Sequence, residues 1–100
     1  MLLREKDRER LVAIFSTIPI PVEVWAYGSR VNGSAHEGSD LDLVVRSHDL
    51  KPIPWGIMSS ILDKIQDSNI PILVELRDWA RLPDSFHTQI EKQFEVIFKP

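Results

Sequence analysis

The sequence predicts a small α/β or α+β fold in which helices pack on a sheet. Stretches with helical apolar spacing alternate with short stretches rich in β-branched and aromatic residues, and prolines and glycines separate the two kinds. The chain has 100 residues, 43% of them apolar, which is enough for one domain with a small core and too apolar for a disordered chain. We therefore expect residues 1–100 to form a single domain.

The first half of the chain predicts a helix and two strands. Residues 2–18 have apolar side chains at the i, i+3, i+4, i+7 spacing of one helical face, namely Leu11, Ile14, Phe15 and Ile18. Pro19 and Pro21 end that helix. Residues 22–27 are rich in β-branched and aromatic side chains and predict a strand. Residues 30–39 predict a loop with at most a short helical turn, and residues 40–46 predict a second strand.

The second half predicts two helices around a third strand. Residues 55–67 have helical spacing, with Trp55 expected to pack in the core, and residues 72–77 predict a strand. A last helix opens at residues 83–85 and has near-helical apolar spacing at Phe86, Ile90, Phe94 and Ile97. Residues 96–98 fit either the end of this helix or a short strand.

Composition excludes several classes of function. Cysteine is absent, which excludes disulfides, thiolate zinc sites and cysteine nucleophiles and agrees with a cytoplasmic location. The charged first ten residues do not resemble a signal peptide, and no stretch approaches the roughly 20 apolar residues of a membrane span. The net charge of -3 argues against nucleic-acid binding, but it permits binding of one nucleotide with a divalent cation.

Two aspartates occupy alternate positions of the second predicted strand. Side chains alternate across a strand, so Asp40 and Asp42 should share one face, and Leu41, Leu43 and Val45 the other. Neighbouring carboxylates repel each other, and a hard cation relieves that repulsion. Mg²⁺ or Mn²⁺ binds through one or two such carboxylates plus substrate phosphates, so Asp40 and Asp42 are predicted metal ligands.

A glycine and a serine follow directly on the first predicted strand. Gly28 has no side chain, so backbone amides can approach a phosphate closely, and the Ser29 hydroxyl can donate to phosphate oxygens. A phosphate loop and a carboxylate pair on adjacent strands are the parts that phosphoryl or nucleotidyl transfer requires.

Two other phosphate and metal motifs do not fit. Gly28 and Gly33 have the spacing of the two P-loop glycines, but Ser34 and Ala35 stand where the P-loop needs lysine and then serine or threonine. A calcium loop needs further oxygen ligands after Asp42, and position 44 is valine.

The combined pattern resembles the nucleotidyltransferase superfamily that includes DNA polymerase beta, and within it the minimal nucleotidyltransferase (MNT) group. The Gly-Ser, spacer, Asp-x-Asp motif of that family matches Gly28, Ser29, Asp40 and Asp42. The Gly-Ser-Arg-x-x-Gly start of its small members matches as well, and the similarity continues through residues 72–80.

This resemblance implies a fold, an activity and a set of site residues. The fold would be a polymerase beta palm-like mixed sheet with flanking helices, forming one minimal nucleotidyltransferase domain over residues 1–100. The activity would be Mg²⁺-dependent transfer of NMP from an NTP, as AMP from ATP. The position of Arg30 in the motif implies contact with the triphosphate beside Gly28 and Ser29.

The resemblance also assigns a third carboxylate. Family members usually carry an aspartate on the third strand, where this chain has Glu75. Glu75 would join Asp40 and Asp42 as a catalytic and metal-binding residue, although its longer side chain changes the geometry, which tolerates little displacement. Asp78 should face the opposite side of the strand and is a poorer substitute.

The small members resemble the antitoxin halves of HEPN–MNT toxin–antitoxin pairs, some of which transfer AMP to a tyrosine of the HEPN partner. A HEPN-domain partner or a homodimer is therefore expected. Two functions stay open: a nucleotidyltransferase that modifies a hydroxyl of its partner, and an antitoxin without catalysis that neutralises its partner by binding. The intact Gly28, Ser29, Asp40 and Asp42 favour the first, and Glu75 favours the second.

Overall fold

The computed structural model describes residues 1–36 and 38–100. Its helices and strands alternate along the chain in the order α1 (Glu5–Phe15), β1 (Val22–Tyr27), α2 (Ser29–Asn32), β2 (Leu41–Ser47), α3 (Trp55–Asp67), β3 (Val74–Asp78), a 3-10 turn (Trp79–Arg81), α4 (Asp84–Lys92) and β4 (Glu95–Phe98). The predicted α/β class is confirmed.

The strands form a four-stranded mixed sheet in the order β3-β2-β1-β4. β1 pairs antiparallel with both β2 and β4, whereas β2 pairs parallel with β3. The parallel pair needs a crossover, and α3 supplies it. The mixed sheet implied by the family resemblance is thus present.

The two faces of the sheet carry different side chains. One face, which we call the core face, packs against α1 and α3 and includes the fully buried Leu41, Leu43 and Val45 of β2. The opposite face, which we call the site face, carries Asp42, and its apolar residues belong to a second cluster around Trp25 and Trp79. The expected alternation along β2 is therefore confirmed from Leu41 onward.

The N-terminal helix is shorter than the predicted span of residues 2–18. Before Glu5, Leu2 bonds to α2 instead, since its amide donates to the Arg30 carbonyl at 2.9 Å and the Arg30 side chain donates to its carbonyl at 2.6 Å. At the other end, the hydroxyls of Ser16 and Thr17 donate to helix carbonyls at 2.7 Å each. Such local bonds compete with continuation of a helix.

The C-terminal segment resolves into a helix and a strand. α4 ends at Lys92, and residues 95–98 form β4 on the free edge of β1. Phe94 and Ile97 therefore lie outside α4, and their helical spacing was misleading. Pairing with β1 gives this segment of β-branched and aromatic residues a ladder of backbone hydrogen bonds.

Trp55 is the second correction. It begins α3 at the expected residue, but its side chain is 68% exposed instead of packing in the core. Its indole ring lies against the Arg81 guanidinium, 3.8 Å from the ring centroid. The inward side of α3 is formed by Met58, Ile61 and Ile65. Within the described residues, no helix is both long and apolar enough to span a membrane.

Candidate active site

A row of polar side chains crosses three strands on the site face. Asp42 of β2 is the antiparallel partner of Tyr27 and the parallel partner of Glu75. Residues in register on neighbouring strands project to the same face, so Tyr27, Asp42 and Glu75 lie side by side. The Asp42 side chain is 26% exposed and that of Glu75 is 41% exposed, so both carboxylates are reachable from solvent. The structure thus brings Asp42 and Glu75 together as the sequence predicts.

Arg77 connects the members of this row. It lies two residues after Glu75 on β3 and shares its face. Its guanidinium donates to the Tyr27 hydroxyl at 3.1 Å and lies 3.1 Å from Glu75 Oε2 and 3.8 Å from Asp42 Oδ1. One cation therefore balances two neighbouring carboxylates and fixes the phenol beside them.

Burial and nearby charges shift the pKa values of Asp42 and Tyr27. Partial burial, followed by the negative charge of Glu75, raises the pKa of Asp42, while Arg77 opposes the rise. Burial also raises the pKa of Tyr27, and the hydrogen bond from Arg77 opposes it. A divalent cation would favour the ionised form of Asp42, as Arg77 already does in part.

Gly28 lies close to this row. Its φ of +79° lies in the region that favours glycine, and a Cβ placed there would be 2.6 Å from Asp42 Oδ2. The space that a side chain would need at Gly28 is therefore taken by the carboxylate of the predicted metal ligand. Ser29 begins α2, so both predicted phosphate-binding residues lie at the end of β1 next to Asp42.

Asp40 lies just outside β2, although the sequence predicts that this strand begins at Asp40. β2 begins at Leu41, so Asp40 lies one residue before the strand, is exposed, and is not fixed to the face of Asp42 by strand pairing. Its negative charge still contributes to the raised pKa of Asp42, so the two carboxylates lie within electrostatic range of each other. Within residues 1–36 and 38–100, no group of three His, Cys, Asp or Glu side chains lies close enough together for one metal ion.

The donor chemistry nevertheless fits a hard divalent cation. Asp42 and Glu75 present oxygens on adjacent strands, and Asp40 is near Asp42. Mg²⁺ keeps several of its coordination positions for water and phosphate and commonly takes one or two carboxylates from the protein. Asp42 with either neighbour would satisfy that number.

The Arg30 side chain is buried and bonds to backbone carbonyls of the protein. It is 4% exposed, and its guanidinium donates to the carbonyl of Ser39 at 2.7 and 2.9 Å and to the carbonyl of Leu2 at 2.6 Å. These bonds join α2 to the segment just before β2 and to the N-terminus. The expected contact between Arg30 and a triphosphate stays a prediction.

Asp78 is excluded as a replacement for Glu75. It is buried, accepts hydrogen bonds from the amides of Ile53 at 2.8 Å and Ala80 at 3.1 Å, and pairs with Arg81 at 3.2 Å. Its carboxylate therefore binds the segment before α3 and the 3-10 turn. It lies on the opposite side of β3 from Glu75, as predicted.

The sequence analysis missed Tyr27 and Arg77 as members of the site. Both signals were present: Tyr27 directly precedes Gly28, and Arg77 follows Glu75 at the period of a strand. Antiparallel register between β1 and β2 was needed to place Tyr27 beside Asp42, and periodicity alone does not provide register.

The chain is similar in sequence to known nucleotidyltransferases. A family model for polymerase beta nucleotidyltransferases matches residues 9–100. The chain belongs to this nucleotidyltransferase family. The chain is also 38% identical over 74 residues to the probable protein adenylyltransferase MntA of Haemophilus influenzae, a match that covers 74% of this chain and 63% of that protein. It therefore spans less than two thirds of the length of that nucleotidyltransferase relative.

A solved structure gives the same fold. A chain in the crystal structure of a toxin-antitoxin with AMP-PNP superposes with a TM-score of 0.66 at 17% identity, covering 94% of this chain and 74% of that chain. At that identity the likeness bears on the fold alone, and it agrees with the predicted polymerase beta-like sheet with flanking helices.

Proposed function

We propose that this nucleotidyltransferase transfers AMP from ATP, in the presence of Mg²⁺, to a hydroxyl group of a partner protein. The observation that carries the proposal is the close approach of Asp42 to Gly28, where a Cβ would be 2.6 Å from Asp42 Oδ2, with Glu75 in register beside Asp42. The glycine of the predicted phosphate loop therefore lies close to a pair of oxygen ligands. We extend the proposal to residues 1–100 as one minimal nucleotidyltransferase domain.

Each residue has a distinct part in the proposed reaction. Gly28 and Ser29 bind the phosphates, and Arg30 keeps the loop in place through its bonds to the carbonyls of Ser39 and Leu2. The oxygen of the acceptor hydroxyl forms a bond to the α-phosphorus, the bond from that phosphorus to the bridging oxygen breaks, and pyrophosphate leaves. Glu75 accepts the hydroxyl proton.

The metal ligands are proposed from the same row. Asp42 would be the central ligand, with Asp40 and Glu75 as its neighbours, and substrate phosphates would supply further oxygens. A divalent cation bound there would neutralise charge on the phosphate oxygens, and Mn²⁺ has the same oxygen preference as Mg²⁺. Arg77 pairs with both Glu75 and Asp42 and so offsets part of the repulsion between the two carboxylates.

The acceptor is proposed to be a HEPN-domain toxin, which makes this chain an antitoxin. Support comes from the relative described as a probable protein adenylyltransferase and from the fold shared with a chain of a toxin-antitoxin structure. Exposed apolar side chains around β3, at Trp55 and Leu73, offer surface to a partner or to a second copy.

The proposal is tested by incubating the purified chain with labelled ATP, Mg²⁺ and the protein encoded by the neighbouring reading frame. We expect the partner to gain the mass of one or more AMP groups on a hydroxyl side chain. Asp42→Asn should reduce the rate by orders of magnitude, because a metal ligand is lost. Asp63→Asn, an exposed acidic residue on α3, is the matched control and should label normally.

A second function is favoured by one observation. Glu75 is already paired with Arg77 at 3.1 Å, and Asp40 lies outside β2, so strand pairing does not hold Asp40 next to Asp42. An antitoxin that neutralises its partner by binding alone would tolerate this arrangement. Absence of labelling with the wild-type chain, together with intact neutralisation of the toxin by Asp42→Asn, would favour that function.

A further inference from the structure

A pocket opens from the phosphate loop toward α4, an element to which the residue roles proposed above assign no part. It has a volume of about 330 Å³ and lies between Tyr27 and Gly28 at the end of β1, Asn32 of α2, and Phe86 and Gln89 of α4. Tyr27 and Gly28 belong to the carboxylate row and the phosphate loop, so the pocket is continuous with the candidate active site. Its volume is at the lower end of the range of about 300–1,000 Å³ for small-molecule sites.

The floor of this pocket is apolar and aromatic. Tyr27 and Ile90 are buried, and the Phe86 ring packs edge to face on the Tyr27 ring, with centroids 6.2 Å apart. An aromatic floor suits a flat heterocycle, since every nucleobase has a π-face that can lie on such a surface.

The rim of the pocket is polar and exposed. Asn32, Gln89 and Gln93 contribute side-chain amides, and Lys92 contributes a cation. Amides carry donors and acceptors together, which matches the edge of a base or the hydroxyls of a ribose. None of the described residues lining this pocket is acidic, so its walls add no negative charge to that of Asp42 and Glu75 near the phosphate loop.

We propose that this pocket, between the end of β1 and α4, binds the nucleoside part of the NTP. The inference rests on the proposed function, because the phosphates must lie at Gly28 for the base to reach Phe86 and Gln89. It assigns α4 a role in nucleotide binding beyond covering the sheet, and it makes Asn32, Gln89 and Gln93 the residues that contact the base or ribose.

Two probes separate the nucleoside from the phosphates. Inorganic tripolyphosphate with Mg²⁺ reports on the phosphate and metal site alone, and ATP with Mg²⁺ reports on both parts. By calorimetry, we expect the wild-type chain to bind ATP at least about tenfold more tightly than tripolyphosphate, a difference of about 1.4 kcal/mol.

A pocket-filling variant provides the decisive comparison. Gln89→Trp places a large ring at the exposed rim, so it should abolish the preference for ATP and leave tripolyphosphate binding unchanged. Glu91→Trp, two residues along α4, is also exposed but does not line the pocket, and it should keep the preference. Thermal unfolding of both ligand-free variants checks that they fold like the wild type.

The outcomes distinguish this inference from the function on which it rests. Equal affinity of the wild type for ATP and tripolyphosphate would overturn the nucleoside pocket and leave the proposed transfer standing. An undiminished preference for ATP in folded Gln89→Trp would also overturn it. Failure of the wild type to bind either probe would overturn the proposed function and this inference together.

Discussion

The two faces of β2 carry side chains in different environments. On the core face, Leu41, Leu43 and Val45 are completely buried against α1 and α3. On the site face, Asp42 is partly exposed, and the Arg46 guanidinium lies against the rings of both Trp25 and Trp79, 4.0 and 4.5 Å from their centroids. Adjacent residues of one strand thus serve a dry core and a surface of charges and rings.

This difference shows where stability and function reside. The core face depends on burial, which is non-directional and proportional to apolar area. The site face depends on specific partners: Arg77 for Asp42 and Glu75, and the absence of a side chain at Gly28. Substitutions on the core face should therefore change stability, whereas those at the carboxylate row should change ligand binding with small effects on stability.

Leu43→Ala should give the largest loss of stability. Leu43 is fully buried, so its truncation removes transfer free energy and leaves a cavity, together worth about 2–5 kcal/mol. Leu73→Ala is the matched control, because Leu73 is 63% exposed and should change stability by less than about 0.5 kcal/mol. Urea unfolding measures both. Similar losses at the two leucines would contradict the assignment of the core face.

Gly28→Ala should come next, at about 1–3 kcal/mol. Alanine is strained at a φ of +79°, and its Cβ would meet Asp42 Oδ2 at 2.6 Å. Gly33→Ala separates the two causes, since Gly33 has a φ of +86° but no atom within 4 Å of the position that a Cβ would occupy. We expect both variants to lose stability, and only Gly28→Ala to lose the thermal stabilisation by ATP and Mg²⁺ that the wild type should show.

The elements of the core face could be predicted well from the sequence. β1 and α3 have the predicted bounds, because their alternation and helical spacing are strong and prolines separate them from their neighbours. The differences lie where tertiary bonds override the local pattern. Leu2 bonds to Arg30 instead of continuing α1, and residues 96–98, whose sequence fits either a helix end or a short strand, pair with β1 as part of β4.

The candidate site could be predicted only in part. Gly28 and Asp42 are predicted because a glycine after a strand and alternating aspartates are local signals, and Glu75 is predicted through the family resemblance. Their proximity, and the places of Tyr27 and Arg77, depend on the register of three strands. Trp55 was assigned to the core because helical spacing does not tell which edge of a broad apolar stripe faces solvent.

Asp42→Asn should raise the stability of the ligand-free protein, in contrast to Leu43→Ala at the neighbouring position. Burial and the charge of Glu75 raise the pKa of Asp42. The folded protein therefore holds this proton more tightly than the unfolded chain, and stability falls as pH rises from the ordinary value of 3.8 through the raised pKa. Asparagine does not titrate, so the gain should appear above that window and vanish below it.

The gain should be at most about 1 kcal/mol, because the carboxylates are partly solvated. Thermal unfolding of Asp42→Asn and of Asp63→Asn at acidic and neutral pH measures it. A lower melting temperature for Asp42→Asn than for Asp63→Asn at neutral pH would show that Asp42 stabilises the fold.

The smallest expected effect on stability, and the most local readout, comes from Arg77→Met. Tyr27 is the only tyrosine of the chain, so the ultraviolet absorbance of tyrosinate reports on this one site. Burial raises the pKa of Tyr27 above 10.0, and the hydrogen bond and charge of Arg77 oppose that rise. Removing Arg77 should therefore move the titration of Tyr27 to still higher pH, while Arg77→Lys, which keeps the charge, should move it less.

Far-ultraviolet circular dichroism followed in the same titration shows whether the chain is still folded when Tyr27 ionises. Because the folded state disfavours tyrosinate, the wild type should lose stability as pH rises above 10.0, and Arg77→Met should lose it more steeply. Identical titration curves for the wild type and Arg77→Met would mean that Arg77 does not hold the phenol, and that the carboxylate row is ordered by the strands alone.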